Sequence, residues 1–232
     1  MADPLSQLER RVLGVLVEKA LTAAVPEPLT LNAVVVGSNQ KSNRDPLMTV
    51  EEPEVDSALE RLKAKGVVFR IVGGRTERWR HNVYDAWNVS KAEAAFLAEL
   101  LLRGPQTAAE ARARASRMEP IDQEEAQALI KSLVERGYVV WLTPENRRGA
   151  TLTHGFHTPD ELPRLTSHFG AVAAEPGPSG PAPALPPPDA LRTRLEAAEA
   201  EIAGLRAEVA TLRAAVTALQ EALGVPPTPP AA

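Results

Sequence analysis

The chain has 232 residues, with 26 Lys plus Arg against 30 Asp plus Glu, no cysteine, 21 prolines and 4% aromatics, a length that suits roughly one to three domains. Without cysteine there is no disulfide framework, no Cys-ligated zinc site and no thiol nucleophile, which fits a soluble protein in a reducing, cytoplasmic setting. Charges interrupt the first eleven residues and no apolar run approaches the roughly 18 residues of a membrane span, so neither signal peptide nor membrane contact is expected. The net charge of −4 leaves any nucleic-acid role to local basic patches.

Leu8, Val12, Leu13, Leu16 and Val17 keep the spacing of one buried helix face and predict a first helix. Pro28 and Thr30 open a shorter one over about 31–37. A polar insertion at 37–48 follows. Its Asn39, Gln40, Lys41, Asn43 and Arg44 combine amides that match adenine edges with cations that hold phosphate. The same residues also suit turns, where Asn and Ser satisfy loose backbone groups, Asp45-Pro46 starts a turn and the cations are solvated. A third helix opens with Glu51, Glu52, Glu54 and Asp56, carboxylates suited to the positive end of a helix dipole, and stops at Lys65-Gly66. Strands at 67–72 and 78–84 then flank Gly73-Gly74-Arg75, a tight hairpin. Alternation places Arg70, Arg78 and Arg80 on its solvent face and Arg75 at its tip, with Val67, Phe69, Ile71, Trp79 and Val83 packed on the third helix. Such a basic ribbon would follow a DNA backbone or enter a minor groove; arginines on an edge hairpin also deter strand-to-strand aggregation.

The pattern then repeats. Ala58-Leu59, Leu62, Gly66 and Val68 recur 71 positions later as Leu129-Ile130, Leu133, Gly137 and Val139. Ser90 and Glu93 form a capping box before the Phe96, Leu97, Leu100, Leu101 face. A short helix is expected at 107–116, and a third opens with Asp122, Glu124 and Glu125. Strands at 138–142 and 150–153 flank a loop bearing Arg147 and Arg148, a smaller basic wing; Trp87 and Trp141 read as core. Helix, helix, helix, hairpin twice over is a tandem winged helix, a mainly α chain with small β-hairpins. The acidic starts of both third helices would repel phosphate, which disfavours their insertion into a major groove. Arg112, Arg114 and Arg117 offer another basic face. His154 and His157 stand three apart with His168 beyond, but Gly155 separates the first two and no acidic motif accompanies them, so no metal, cofactor or catalytic activity is expected.

Residues 171–189 hold seven prolines and read as an extended, semi-rigid spacer. After them Leu191, Leu195, Ala198, Ile202, Leu205, Val209, Leu212, Val216, Leu219 and Leu223 alternate spacings of four and three, a heptad seam. Leu195, Ile202, Val209, Val216 and Leu223 fall at a, and Leu191, Ala198, Leu205, Leu212 and Leu219 at d, a pattern that favours a parallel homodimer. The flanking pairs Arg194 with Glu199, Glu201 with Arg206 and Glu208 with Arg213 attract in that register. The expected organisation is a winged helix at 1–88, another at 89–170, the linker at 171–189, a coiled-coil helix at 190–224 and a disordered tail at 225–232.

Three strings carry a family likeness: Leu8-Glu9-x-Arg11-Val12 through Glu18-Lys19, Ser38-Asn39-Gln40-Lys41-Ser42-Asn43-Arg44-Asp45-Pro46-Leu47-Met48, and Leu101-Leu102-Arg103-Gly104-Pro105-Gln106-Thr107. Over about 5–160 the chain resembles the YceH-like family of bacterial proteins. The resemblance implies the tandem winged-helix fold and a C-terminal heptad segment, and assigns no activity to any residue. The leading expectation is a dimeric regulatory or architectural protein that meets duplex DNA mainly through Arg70, Arg75, Arg78 and Arg80, with Lys41 and Arg44 adjoining. The competing one is a scaffold similar to the tandem winged-helix accessory subunits of chromosome-organising complexes, which binds a protein partner instead.

Overall fold

Helix starts follow the side chains that can satisfy free backbone N–H groups. In the computed structural model, which describes residues 3–22, 28–73 and 76–174, α1 (Gln7–Thr22) opens where Ser6 and Glu9 exchange backbone-to-side-chain hydrogen bonds of 2.7 and 3.3 Å. Thr30 caps α2 (Leu31–Ser38) by accepting from the Ala33 N–H. The N–H of Glu51 donates to Glu54 at the start of α3 (Glu52–Ala64). Ser90 with Glu93 boxes α5 (Lys91–Arg103), Thr107 with Glu110 boxes α6 (Ala108–Ala115), and Asp122 caps α7 (Gln123–Glu135). The stops predicted at Gly66 and Gly137 adopt φ of 73° and 74°, a left-handed turn that glycine takes without steric cost.

Hairpins follow both third helices. In the first unit β1 (Val68–Ile71) pairs antiparallel with β2 (Arg78–His81), and in the second β4 (Val139–Trp141) pairs antiparallel with β5 (Thr151–His154). Each hairpin also has a third partner that periodicity did not announce. β3 (Gln106–Thr107) lies on the far side of β5, giving the order β3-β5-β4. Leu29 does the same for β2, exchanging backbone hydrogen bonds of 2.9 and 2.7 Å with Trp79. In both units this added strand residue leads at once into the threonine that caps the second helix. The strand predicted at 78–84 is shorter: it ends at His81, and Val83–Trp87 forms the short helix α4.

The two repeats share one core. Val12, Leu13 and Leu16 of α1 face the centre together with Phe96, Leu97 and Leu100 of α5, each at most 2% exposed, and the apolar cluster continues without a break to Ile130, Leu133 and Phe156. A Cβ placed on Gly14 would come within 2.8 Å of the Leu102 side chain, so the close approach of α1 and α5 depends on that glycine. Trp87 stacks on Phe156 at 4.5 Å between ring centroids, and Trp87 and Trp141 both pack partly buried against the core. Residues 1–175 form one compact unit, closed by α8 (Glu161–Ala174), which runs four residues into the stretch predicted as linker. The rest of that linker, the heptad seam and the tail lie outside the described residues. No helix among the described residues is long and apolar enough to cross a membrane.

Candidate functional site

The first hairpin corrects the predicted face. Directly opposed residues of an antiparallel pair point to one side, and the register sets Arg70 opposite Trp79, Phe69 opposite Arg80, and Ile71 opposite Arg78. Arg70 therefore shares the face of Val68, Trp79 and His81, whereas Arg78 and Arg80 share theirs with Phe69 and Ile71. Both faces carry apolar residues, so alternation alone could not say which one turns inward. Val68 and Trp79 are buried, and Phe69, expected in the core, is 42% exposed beneath the Arg80 guanidinium. Arg70 pairs with Glu60 at 3.0 Å and with Glu77, which raises its pKa through the hydrogen bonds to Glu77 and then Glu60. Arg78 donates to the Pro28 carbonyl at 3.1 Å. Arg75 lies outside the described residues; Arg147 and Arg148 are exposed on the second hairpin loop. Beside the first hairpin, a groove runs between the starts of α2 and α3, and Glu52, Asp56 and Glu77 line it.

The insertion at 37–48 is tied inward rather than presented as a reading loop. Asn39 clasps the backbone of Val50, donating to its carbonyl and accepting from its N–H, both at 2.8 Å. Gln40 donates to Ser42 and accepts from Arg44. Arg44, expected among solvated cations or phosphate contacts, is 5% exposed. Its donors go to the Gly37 carbonyl at 3.0 Å, the Glu18 carboxylate at 3.1 and 2.6 Å, the Asn43 carbonyl at 2.8 Å and Gln40 at 3.3 Å. A guanidinium has five N–H groups, and all five are used, so Arg44 has none left for phosphate. Asn43 adopts φ of 59° and accepts from Arg103 of α5. Of the five residues picked from this segment only Lys41 is exposed and, among the described residues, without such a tie.

Two of the strings that carry the family likeness thus meet in space. The Asp45 N–H donates to the Leu102 carbonyl at 3.0 Å, and Arg103 reaches Asn43. Arg11 of the third string, 1% exposed, donates to the Ser38 and Pro46 carbonyls at 3.0 and 2.5 Å. Burial, with Arg44 nearby, lowers its pKa to about 10.

A cavity of about 370 Å³ opens at this junction, lined by Arg10, Arg11, Asp45, Pro46, Met48, Leu101, Arg103, Pro105, His154, His157, Glu161, Arg164 and Leu165, among others. The sequence pattern singles out neither Arg10, Glu161, Arg164 nor Leu165, and it gathers none of the others into one site. Arg10 holds Glu161 with two hydrogen bonds, 2.7 and 2.8 Å, across 151 positions of sequence, and those bonds bring the Glu161 pKa down to about 2. Arg10 also donates to His157 Nδ1 at 2.9 Å, which leaves Nε2 as the protonated nitrogen, donating to Thr153 Oγ1 at 2.9 Å. Burial and the Arg10 charge lower the His157 pKa to about 4, and burial with the nearby His157 and Arg10 charges lowers that of His154 well below 6.5. The two imidazoles stack at 3.9 Å. One local signal for this corner existed: Thr158 and Glu161 exchange the hydrogen bonds of a capping box, a spacing that announces α8. Among the described residues no group of three or more His, Cys, Asp or Glu is placed to hold a metal ion.

Comparison with known proteins agrees with the likeness. The profile of a family described as "Protein of unknown function, DUF480" matches residues 5–149. A UPF0502 protein of Rhodopirellula baltica is 47% identical over 160 residues, covering 68% of this chain and 67% of that protein. One from Pseudomonas aeruginosa is 35% identical over 181 residues, covering 78% and 81%. One from Mesorhizobium japonicum is 37% identical over 205 residues, covering 87% and 92%. The matched stretch contains all three strings that bring Arg11, Arg44 and Arg103 into one junction, and the chain belongs to the DUF480/UPF0502 family of uncharacterised bacterial proteins.

Proposed function

We propose that the protein is an interaction scaffold whose first winged-helix unit receives a basic segment of another polypeptide, with two copies joined through the heptad seam at 191–223. One observation carries the reading. Glu52, Asp56 and Glu77 line the groove between the start of the third helix and the hairpin, where a winged helix that binds DNA brings phosphates. Glu77 is paired with Arg70, and the carboxylates of Glu52 and Asp56, which make no ion pair among the described residues, repel a nucleic-acid backbone and attract lysine or arginine side chains. The inward ties of Asn39 and Arg44 and the ion pairs of Arg70 withdraw further support from DNA contact. Placing a photo-crosslinking amino acid at Asn32, which lines the same groove, tests the proposal in cells. It should give protein adducts that disappear when Glu52→Lys and Asp56→Lys are added. Adducts to nucleic acid, or protein adducts indifferent to those changes, would contradict it.

A second reading retains duplex DNA as the partner, met by the outer face of the first hairpin and by the second. The exposed Arg80, laid over Phe69 with its centre 5.8 Å from the ring, is the observation that favours it, with Arg147, Arg148, Arg78, Lys41 and Arg75 as the other candidate cations. Replacing Arg80, Arg147 and Arg148 by alanine would then flatten the salt dependence of binding by about one unit per lost phosphate contact.

A further inference from the structure

We propose that the cavity between α1, α5 and the 158–165 segment binds a small organic anion, a carboxylate with an apolar body. This goes beyond the scaffold reading and stands independently of it. Charge is the first argument. Four guanidiniums, those of Arg10, Arg11, Arg103 and Arg164, line the cavity against two carboxylates, Asp45 and Glu161. Glu161 is already matched by the two hydrogen bonds from Arg10, and Arg103 pairs with Glu99 at 3.0 Å, so Arg11 and Arg164 remain against the single carboxylate of Asp45. The histidines add no compensating negative charge, and His157 receives rather than donates a hydrogen bond at Nδ1.

Unused donors are the second argument. Arg11 is 1% exposed, and its Nε has no hydrogen-bond partner among the described residues although both terminal nitrogens are engaged. That N–H is itself sealed from the cavity, so Arg11 contributes its buried charge beside the space rather than an open donor. Arg164, exposed at the start of α8, makes no hydrogen bond or ion pair among the described residues, so its fork is available to an anion.

Shape supplies the third. Pro46, Met48, Leu101, Pro105 and Leu165 form apolar walls, and about 370 Å³ lies in the range of sites for small molecules, which are mostly apolar with a few convergent polar groups. A bare inorganic anion would leave those walls uncovered. A carboxylate on an aromatic or branched aliphatic body would direct its oxygens to the arginines and its carbon skeleton to the walls. Asp45 and Pro46 of the insertion and Arg103 and Pro105 of α5 and its following turn both line the space, so an occupant touches both of the strings that Asn43 and Leu102 already link.

The test is a titration of full-length protein with benzoate, followed by the imidazole NMR signals of its four histidines. His154 and His157 line the cavity, whereas His81 and His168 do not and serve as internal references. Benzoate should shift the first two saturably and leave the references in place. Benzamide, the same shape without the charge, and inorganic phosphate, the charge without the apolar body, should each bind at least about tenfold more weakly. Arg164→Gln should weaken benzoate by about tenfold, because it removes one charge-assisted contact from an exposed side chain that holds nothing else in the fold. Leu165→Trp, which fills the cavity, should abolish the shift. No saturable shift, an equal response to benzamide or to phosphate, or equal movement of the reference histidines would overturn the proposal.

Discussion

Replacing Glu18 by glutamine tests the view that the insertion is a structural clasp. The Arg44 side chain is 0% exposed and that of Glu18 14%, and the two lie 2.6 Å apart. Burial alone would raise the Glu18 pKa, but the hydrogen bonds and charge of Arg44, with Lys19, outweigh it, and the net shift is downward. Removing the carboxylate charge strands a buried guanidinium. Breaking such a pair costs about 3–5 kcal/mol, and the amide oxygen that glutamine retains places Glu18→Gln at the low end, about 3 kcal/mol. For a chain of this size each kcal/mol moves Tm by about 2–4 °C, so a fall of about 6–12 °C is expected. Urea unfolding and thermal melts followed by circular dichroism provide the measurement. The double replacement Glu18→Met with Arg44→Met should be more stable than either single one, because no unpaired charge remains. A loss under about 1 kcal/mol for Glu18→Gln would show that water reaches Arg44 and that the clasp reasoning is wrong.

Acid should destabilise the protein in a defined window. His81 and His157 have folded pKa values of about 4, depressed by burial and by Arg80 and Arg10 respectively, and that of His154 lies well below 6.5. The unfolded chain then binds more protons as pH falls from about 6.5 to about 4, so stability is complete above that window and declines through it by up to about 1.4 kcal/mol per pH unit for each histidine. Below about 4.5 Glu161 adds to the loss as pH falls towards its own value of about 2. Urea midpoints compared at pH 7.5 and 5 measure the effect, and equal midpoints would contradict it. Gly155→Ala should destabilise by more than about 3 kcal/mol, since its Cβ would sit 1.9 Å from the Gly137 carbonyl oxygen; a near-neutral result in the same assay would mean that the turn relaxes freely. Light scattering should give twice the chain mass, and deletion of 190–232 should halve it; an unchanged mass after deletion would place the dimer contact elsewhere.

Most of the fold was legible because its signals are local. Helix faces, capping boxes, the two left-handed glycines and the internal repeat each lie within a few residues, and the element order follows from them. The register of the first hairpin was not legible, because Val68, Trp79 and His81 on one face and Phe69 with Ile71 on the other both look like inward sets. The added strand positions at Leu29 and Gln106–Thr107 are too short for any period to show. The candidate site was harder still. Asn39, Asn43 and Arg44 have the chemistry of a DNA reader, and what decides their role is partners 11, 60 and 26 positions away in Val50, Arg103 and Glu18. Arg10 and Glu161 meet across the whole compact unit, so neither side chain signals the other in sequence.

If the acidic groove turns the first repeat unit towards protein rather than nucleic acid, duplex DNA should stay unbound. Fluorescence anisotropy of a labelled random-sequence duplex, titrated with full-length protein from about 50 to 200 mM salt, tests it most directly, because several phosphate contacts would change affinity by orders of magnitude over that range. No binding is expected at the lowest salt, and no change when Arg80, Arg147 and Arg148 are replaced by alanine. Tight binding at about 50 mM that falls steeply with salt, and weakens with those replacements, would contradict it and make the basic hairpins a DNA interface.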